Sequence, residues 1–160
     1  MPPDDELPQD RLDALKALLI PSFDDDLDYT SPLLDVFGLG YGFGLYTILV
    51  GKVFKLYDID SQHVISEISQ RLRAKVPGST QWSLFMLAEL HKGGIPPIAN
   101  EHELIAACLD GPEFVRVQAA HCLGNICDER ANAMLQTLLN DHSAEVREEA
   151  LLWLEESRQL

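Results

Sequence analysis

The chain has 160 residues, 46% hydrophobic and 24% charged, and its 26 acids against 12 lysines and arginines give a formal net charge of −14. That length suits one domain burying ~70% of its unfolded surface, and that charge argues against nucleic-acid or anionic-membrane binding while favouring basic protein partners. Three cysteines, an odd number, fit a reducing compartment, and Met1–Asp5 lacks the basic flank and apolar core of a signal peptide, so a cytoplasmic location is expected.

In chain order, Asp10–Ile20 reads as an amphipathic helix with Leu12, Leu15, Leu18 and Leu19 inward, stopped before Pro21. A loop follows that sets Asp24, Asp25, Asp26 and Asp28 between Phe23 and Tyr29. Carboxylates this close repel one another unless something positive answers them. Calcium is a poor answer, because the alternating D-x-D-x-D-G pattern and its distal glutamate are missing. A basic protein surface is a better one, with Phe23 and Tyr29 as apolar anchors. A merely solvated acidic loop is the other reading. Ser31-Pro32 has the form of a cap and first turn, opening a short helix through Phe37. The apolar run Phe37–Val50 is too short to span a membrane, which takes ~20 residues. Its glycines, Gly38, Gly40, Gly42 and Gly44, do not fit a nucleotide-binding loop, so a glycine-rich connector is expected. Leu45–Tyr57 reads as a strongly apolar helix, and Ser61–Lys75 as an amphipathic one carrying Val64, Ile65, Ile68 and Leu72. Beyond it, Trp82, Met86 and Leu90 have helical spacing.

From residue 104 the chain repeats itself. Leu104–Leu123 aligns without a gap on Leu135–Leu154, an offset of 31 residues. Cys108 falls on Leu139, Asp110 on Asp141, Val115-Arg116 on Val146-Arg147, Ala119 on Ala150 and Leu123 on Leu154. A period of this length signals helical hairpins that bury their apolar faces only against their neighbours. In the second copy Leu135, Leu138 and Leu139 share a face. After a break at Asn140–Ser143, Val146, Ala150 and Leu154 recur every four residues, and Ser143 or Asp141 is placed to cap the second helix. The first copy uses Leu104, Ala107 and Cys108, breaks at Asp110-Gly111-Pro112 with Pro112 fitting the first turn of the next helix, and continues with Val115, Ala119 and Leu123.

The run Leu123–Ala131, with Leu135, Leu138–Asp141 and Glu145–Ala150, resembles the HEAT repeat family, most closely the bacterial HEAT-like units of bilin lyases. The resemblance implies an all-α, short right-handed α-solenoid of HEAT-like helical hairpins. It covers two clear repeats over residues 98–160, with residues 1–97 as a divergent helical start of a single domain. It also implies that Asp110, Arg116, Asp141 and Arg147 form a structural ladder between repeats. Upstream, Trp82, Met86 and Leu90 fit another unit's second helix only at an altered offset.

Enzymatic readings of such a chain fare poorly. HEAT-like DNA glycosylases need a basic face. Deoxyhypusine hydroxylases need several His-Glu pairs for two irons, and only His102-Glu103 occurs here. Bilin lyases are longer, and no bilin-handling cluster is evident. His121, Cys122 and Cys127 lie close together without metal-ligand spacing, and no nucleophile–base set emerges from spacing. No catalysis, cofactor or metal is therefore expected.

Charge is unevenly spread. Residues 1–37 hold ten acids against Arg11 and Lys16, residues 98–160 twelve acids against four arginines, and residues 38–97 four acids against six bases. The expected function is non-catalytic protein binding. The specific expectation is an immunity protein that neutralises a basic, nuclease-like toxin domain; the alternative is an adaptor or assembly factor for a host-cell enzyme or complex. Two places are candidates for contact with such a basic partner. One is the loop with Asp24, Asp25, Asp26, Asp28 and Tyr29. The other is the outward side of the repeats' second helices, where Gln118, His121 and Asn125 register with Glu149, Leu152 and Glu156, and where Leu152 is an apolar residue inside an acidic rim. The sequence leaves oligomeric state open.

Overall fold

A computed structural model describes residues 46–158, with side chains described from Leu49 onward. The expected helix Asp10–Ile20, the aspartate loop, the helix opening at Ser31 and the glycine-rich segment lie outside the described residues. Among those that are described there are seven α-helices and no strand. None of these helices is long and apolar enough to cross a membrane. The chain forms two compact units, Met1–Glu67 and Ile68–Leu160.

In the first unit, α1 (Tyr46–Ile59) buries Leu49, Val53 and Leu56, one face of a 3.6-residue period. The Asp60 carboxylate accepts from the His63 N–H at 3.0 Å and so caps the start of α2 (Ser61–Ala74), whose residues from Ile68 onward belong to the second unit. Val64 and Ile68 on α2 are fully buried, while Ile65 is only half-buried. This helix stops at Ala74, one residue short of the expected end, because Lys75 turns into the left-handed region at φ 54°.

In the second unit, Pro77 sits in the first turn of α3 (Pro77–Lys92), where its missing N–H costs no hydrogen bond. Two hairpins follow, α4 (Glu101–Ala106) with α5 (Glu113–Ile126), and α6 (Glu129–Leu138) with α7 (Ala144–Ser157). The long helices α3, α5 and α7 pack side by side in one layer, and α6 packs on α4, α5 and α7 in a second. This is the hairpin stack of an all-α solenoid. The 31-residue register shows directly in the core: Val115, Ala119, Leu123, Val146, Ala150 and Leu154 are all buried, and both alanines are wholly enclosed. Upstream, Met86 and Leu90 of α3 are fully buried as well, whereas Trp82 is half-buried with Phe85 edge-on at 5.6 Å.

Two expectations about hairpin faces need correction. Ala107 is exposed, and Ile105 is buried in its place. The reason is the helical face itself, which runs through Glu101, Leu104, Ile105 and Cys108. Pro112 stands at the N-cap of α5 rather than inside its first turn. Of the hairpin caps, Ser143 is where the sequence placed it, and Asp128 is one that the sequence reading did not name. Asp128 accepts from the Ala131 N–H at 2.7 Å, and Ser143 Oγ accepts from the Val146 N–H at 3.5 Å. The His102-Glu103 pair ties the short helices together: His102 meets Asp128 at 3.0 Å, and Arg130 donates to Glu103 at 2.7 Å.

Candidate protein-interaction surface

The repeat junctions carry one strong ion pair. The Arg116 guanidinium donates twice to Asp141 of the next hairpin, at 2.9 and 3.0 Å, and once to the Gly111 carbonyl at 2.7 Å. Both side chains are under a tenth exposed. Hydrogen bonding to Arg116 is the largest reason that Asp141 titrates below the ordinary carboxylate range. The expected ladder therefore exists between repeats, but its ends differ from its middle. Asp110 pairs with Lys75 at 3.0 Å in an exposed contact, because the segment upstream offers no arginine at the matching place. Arg147, the counterpart of Arg116, reaches only the backbone carbonyl of Asp141, at 2.7 Å.

The α7 helix exposes a surface that its counterpart α5 does not. Leu151 aligns with Ala120, which is fully buried, yet Leu151 is 46% exposed and its neighbour Leu152 49%. Glu148, Glu155 and Glu156 stand exposed around them. A shallow depression of ≈ 220 Å³ between Leu139, Ala144, Arg147, Glu148 and Leu151 continues this patch. Leu139 is half-exposed for the same reason, although Cys108 at the matching place is buried.

The residues expected to make contact divide into three groups. Asp24, Asp25, Asp26, Asp28 and Tyr29 lie outside the described residues. Leu152 and Glu156 are exposed on α7, as expected. Gln118, His121 and Glu149 are not free of the fold. The Gln118 side-chain amide nitrogen is buried without a hydrogen-bond partner among the described residues. His121 Nδ1 lies 3.2 Å from Glu149 Oε1, which also accepts from Trp153 Nε1–H at 2.8 Å. The two rings meet edge-to-face at 5.2 Å. The His121 hydrogen bond leads the causes that hold Glu149 below its ordinary value. His121 and Glu149 thus join α5 to α7, and charge reversal at Glu149 would perturb that joint as well as any contact surface. Asn125 is half-exposed and donates to the His121 carbonyl of its own helix at 2.9 Å. The missed signal is Trp153, whose bulk at the Cys122 position demands a partner.

One group of metal-type donors converges among the described residues, and spacing did not reveal it. His91, Glu101 and Cys122 bring one ligand atom each to within 4.8 Å of one another. They stand 10 and 21 residues apart in sequence and on three different helices, so no short motif joins them. The sequence neighbours His121 and Cys127 are not part of this group: His121 faces Glu149, and Cys127 donates to the Gly124 carbonyl. Burial lowers the His91 pKa, but the hydrogen bonds to Glu101 and to the Ile95 carbonyl outweigh it and set the imidazole above its ordinary value. Burial first, and then the nearby Glu101 and Cys108, push the Cys122 thiol well up.

A family model of HEAT repeats matches residues 102–159, the segment that carries α4 through α7. No curated protein and no solved structure matches the chain.

Proposed function

We propose that this protein is a non-catalytic protein-binding module, and specifically an immunity protein that binds a basic, nuclease-like toxin domain in the cytoplasm and blocks it. The observation that carries the reading is the pair Leu151 and Leu152, both about half exposed and ringed by Glu148, Glu155 and Glu156. Fully burying a leucine is worth ~1.5–3 kcal/mol, so two adjacent leucines supply an apolar anchor. The surrounding carboxylates supply selectivity for a cationic surface and speed its approach. HEAT repeats over residues 102–159 support the coarser part of this reading. The step from binding to immunity rests on the net charge of −14 and the analogy of form.

The test is coexpression with the product of the adjacent gene, where that gene encodes a basic, nuclease-like toxin domain. Protection of the cell and a 1:1 complex are expected. A Leu151→Asp, Leu152→Asp variant should lose both while keeping its helical content and melting temperature. Intact binding by that variant would move the interface elsewhere. A neighbouring gene for a metabolic enzyme, together with co-purification of that enzyme, would favour the adaptor reading instead.

A further inference from the structure

We infer that His91, Glu101 and Cys122 form a binding site for a single thiophilic divalent cation, zinc in the first place. The three residues offer an imidazole nitrogen, a carboxylate oxygen and a thiol sulfur within 4.8 Å, a donor set that suits zinc. Their outer atoms are already oriented by the backbone. His91 Nδ1 lies 2.8 Å from the Ile95 carbonyl, which fixes Nδ1 as the protonated nitrogen and turns Nε2 toward the cluster. Glu101 Oε2 accepts from the Ile98 N–H at 2.9 Å, which leaves Oε1 facing inward. Anchoring the far side of each ligand in this way is what metal sites require of their surroundings.

Cys122 has no such anchor. Cys108 and Cys127 donate their S–H to carbonyls of their own helical segments, at 3.1 and 2.6 Å, but among the described residues Cys122 has no such bond. The charge balance also suits a divalent ion. Glu101 and Cys122 are fully buried, and the His91 side chain is 3% exposed. A neutral imidazole, a carboxylate and a thiolate cancel two positive charges, so the loaded site is neutral in a place where a net charge would be costly. Without a cation, His91 Nε2 and Glu101 Oε1 are hydrogen-bonded to each other through one proton. The cation replaces that proton and the thiol proton, releasing two. Three protein donors leave the fourth tetrahedral position to water.

Such a site would clamp the segment from Gly93 to Asn100 between the end of α3 and the start of α4, with Cys122 of α5 as the third corner. It is independent of the α7 surface, so failure of either proposal leaves the other standing.

The experiment is a cobalt titration of the metal-stripped chain, followed by displacement with zinc. One equivalent of cobalt should give a thiolate-to-cobalt charge-transfer band and the visible bands of a tetrahedral site. Zinc should remove both and raise the melting temperature. Cys122→Ser should abolish the charge-transfer band and weaken binding by at least ~100-fold, whereas Cys127→Ser should leave both intact. Should Cys122→Ser fail to fold, the zinc-dependent rise in melting temperature of the unaltered chain decides alone. Absence of that rise and of the cobalt bands overturns the inference, as does a charge-transfer band that persists in Cys122→Ser.

Discussion

Gly124→Ala offers a sharp test of how α5 meets α7. In an isolated helix, alanine is favoured over glycine by ~1 kcal/mol, so helix propensity alone makes this substitution stabilising. The packing reverses that. A Cβ built on Gly124 would lie under 3.0 Å from Cδ2, Cγ and Cε3 of Trp153, well inside the separation that carbon atoms tolerate. Those atoms belong to a rigid ring rather than to the end of a flexible chain. The ring must retreat, and in doing so it loses its hydrogen bond to Glu149 and its edge contact with His121. Overpacking costs ~1–3 kcal/mol and the hydrogen bond to a charged acceptor a further ~1.5–3 kcal/mol. Set against the propensity gain, the net loss should be ~1.5–5 kcal/mol. Urea denaturation followed by circular dichroism, in a double-mutant cycle with Trp153→Ala, isolates the cause. In the Trp153→Ala background the clash is gone, and Gly124→Ala should stabilise by ~1 kcal/mol. An equal effect of Gly124→Ala in both backgrounds would refute the packing of Trp153 over Gly124.

Other perturbations separate the buried from the exposed parts of the repeat. Asp141→Ala leaves Arg116 enclosed without its carboxylate and should cost ~3 kcal/mol in urea denaturation, while Asp110→Ala, in an exposed pair, should change little. Ala150→Leu should cost ~1–3 kcal/mol by forcing α5 and α7 apart. Asp141, Glu149 and Asp128 all have folded pKa values below their ordinary ones. Their contribution is therefore complete above the ordinary values of 3.8 and 4.5 and is lost as pH falls through the lower folded values. Unfolding free energy should hold steady at mildly acid pH and drop on further acidification, and Asp141→Asn should flatten that drop.

Much of the second unit was legible because hairpin repeats write their core at a fixed interval. Val115, Ala119 and Leu123 announce themselves once Val146, Ala150 and Leu154 are laid beneath them. The Arg116–Asp141 pair was legible through the resemblance to HEAT repeats, which implies such a ladder, and not through the period itself. Contacts that break the period were not. Lys75 answers Asp110 from outside the register, and His91, Glu101 and Cys122 meet only when three helices fold together. Outward-facing residues were misjudged where a large side chain intervened. The register gives His121 and Glu149 matching outward places on successive repeats. It carries no information that Trp153 bridges them or that Glu149 accepts from both. Leu151 shows the converse. Its place in the register is a buried one, and only the structure reveals that nothing among the described residues covers it.

The open face of α7 has a consequence for how the second unit comes apart. The principal packing of α6 and α7 is on each other, on α5 and, for α6, on α4. The α5 helix is held on both sides, by α3 and by α7. In a stack whose stability is a sum of nearest-neighbour terms, a hairpin with one interface opens at lower free energy than one with two. Amide exchange should therefore be fastest through α6 and α7 and slowest in α5, around Ala119–Leu123. A ligand seated on Leu151 would slow exchange across α6 and α7 by completing the missing interface. Binding would then be read as cooperativity along the stack, in amides that the partner itself never touches.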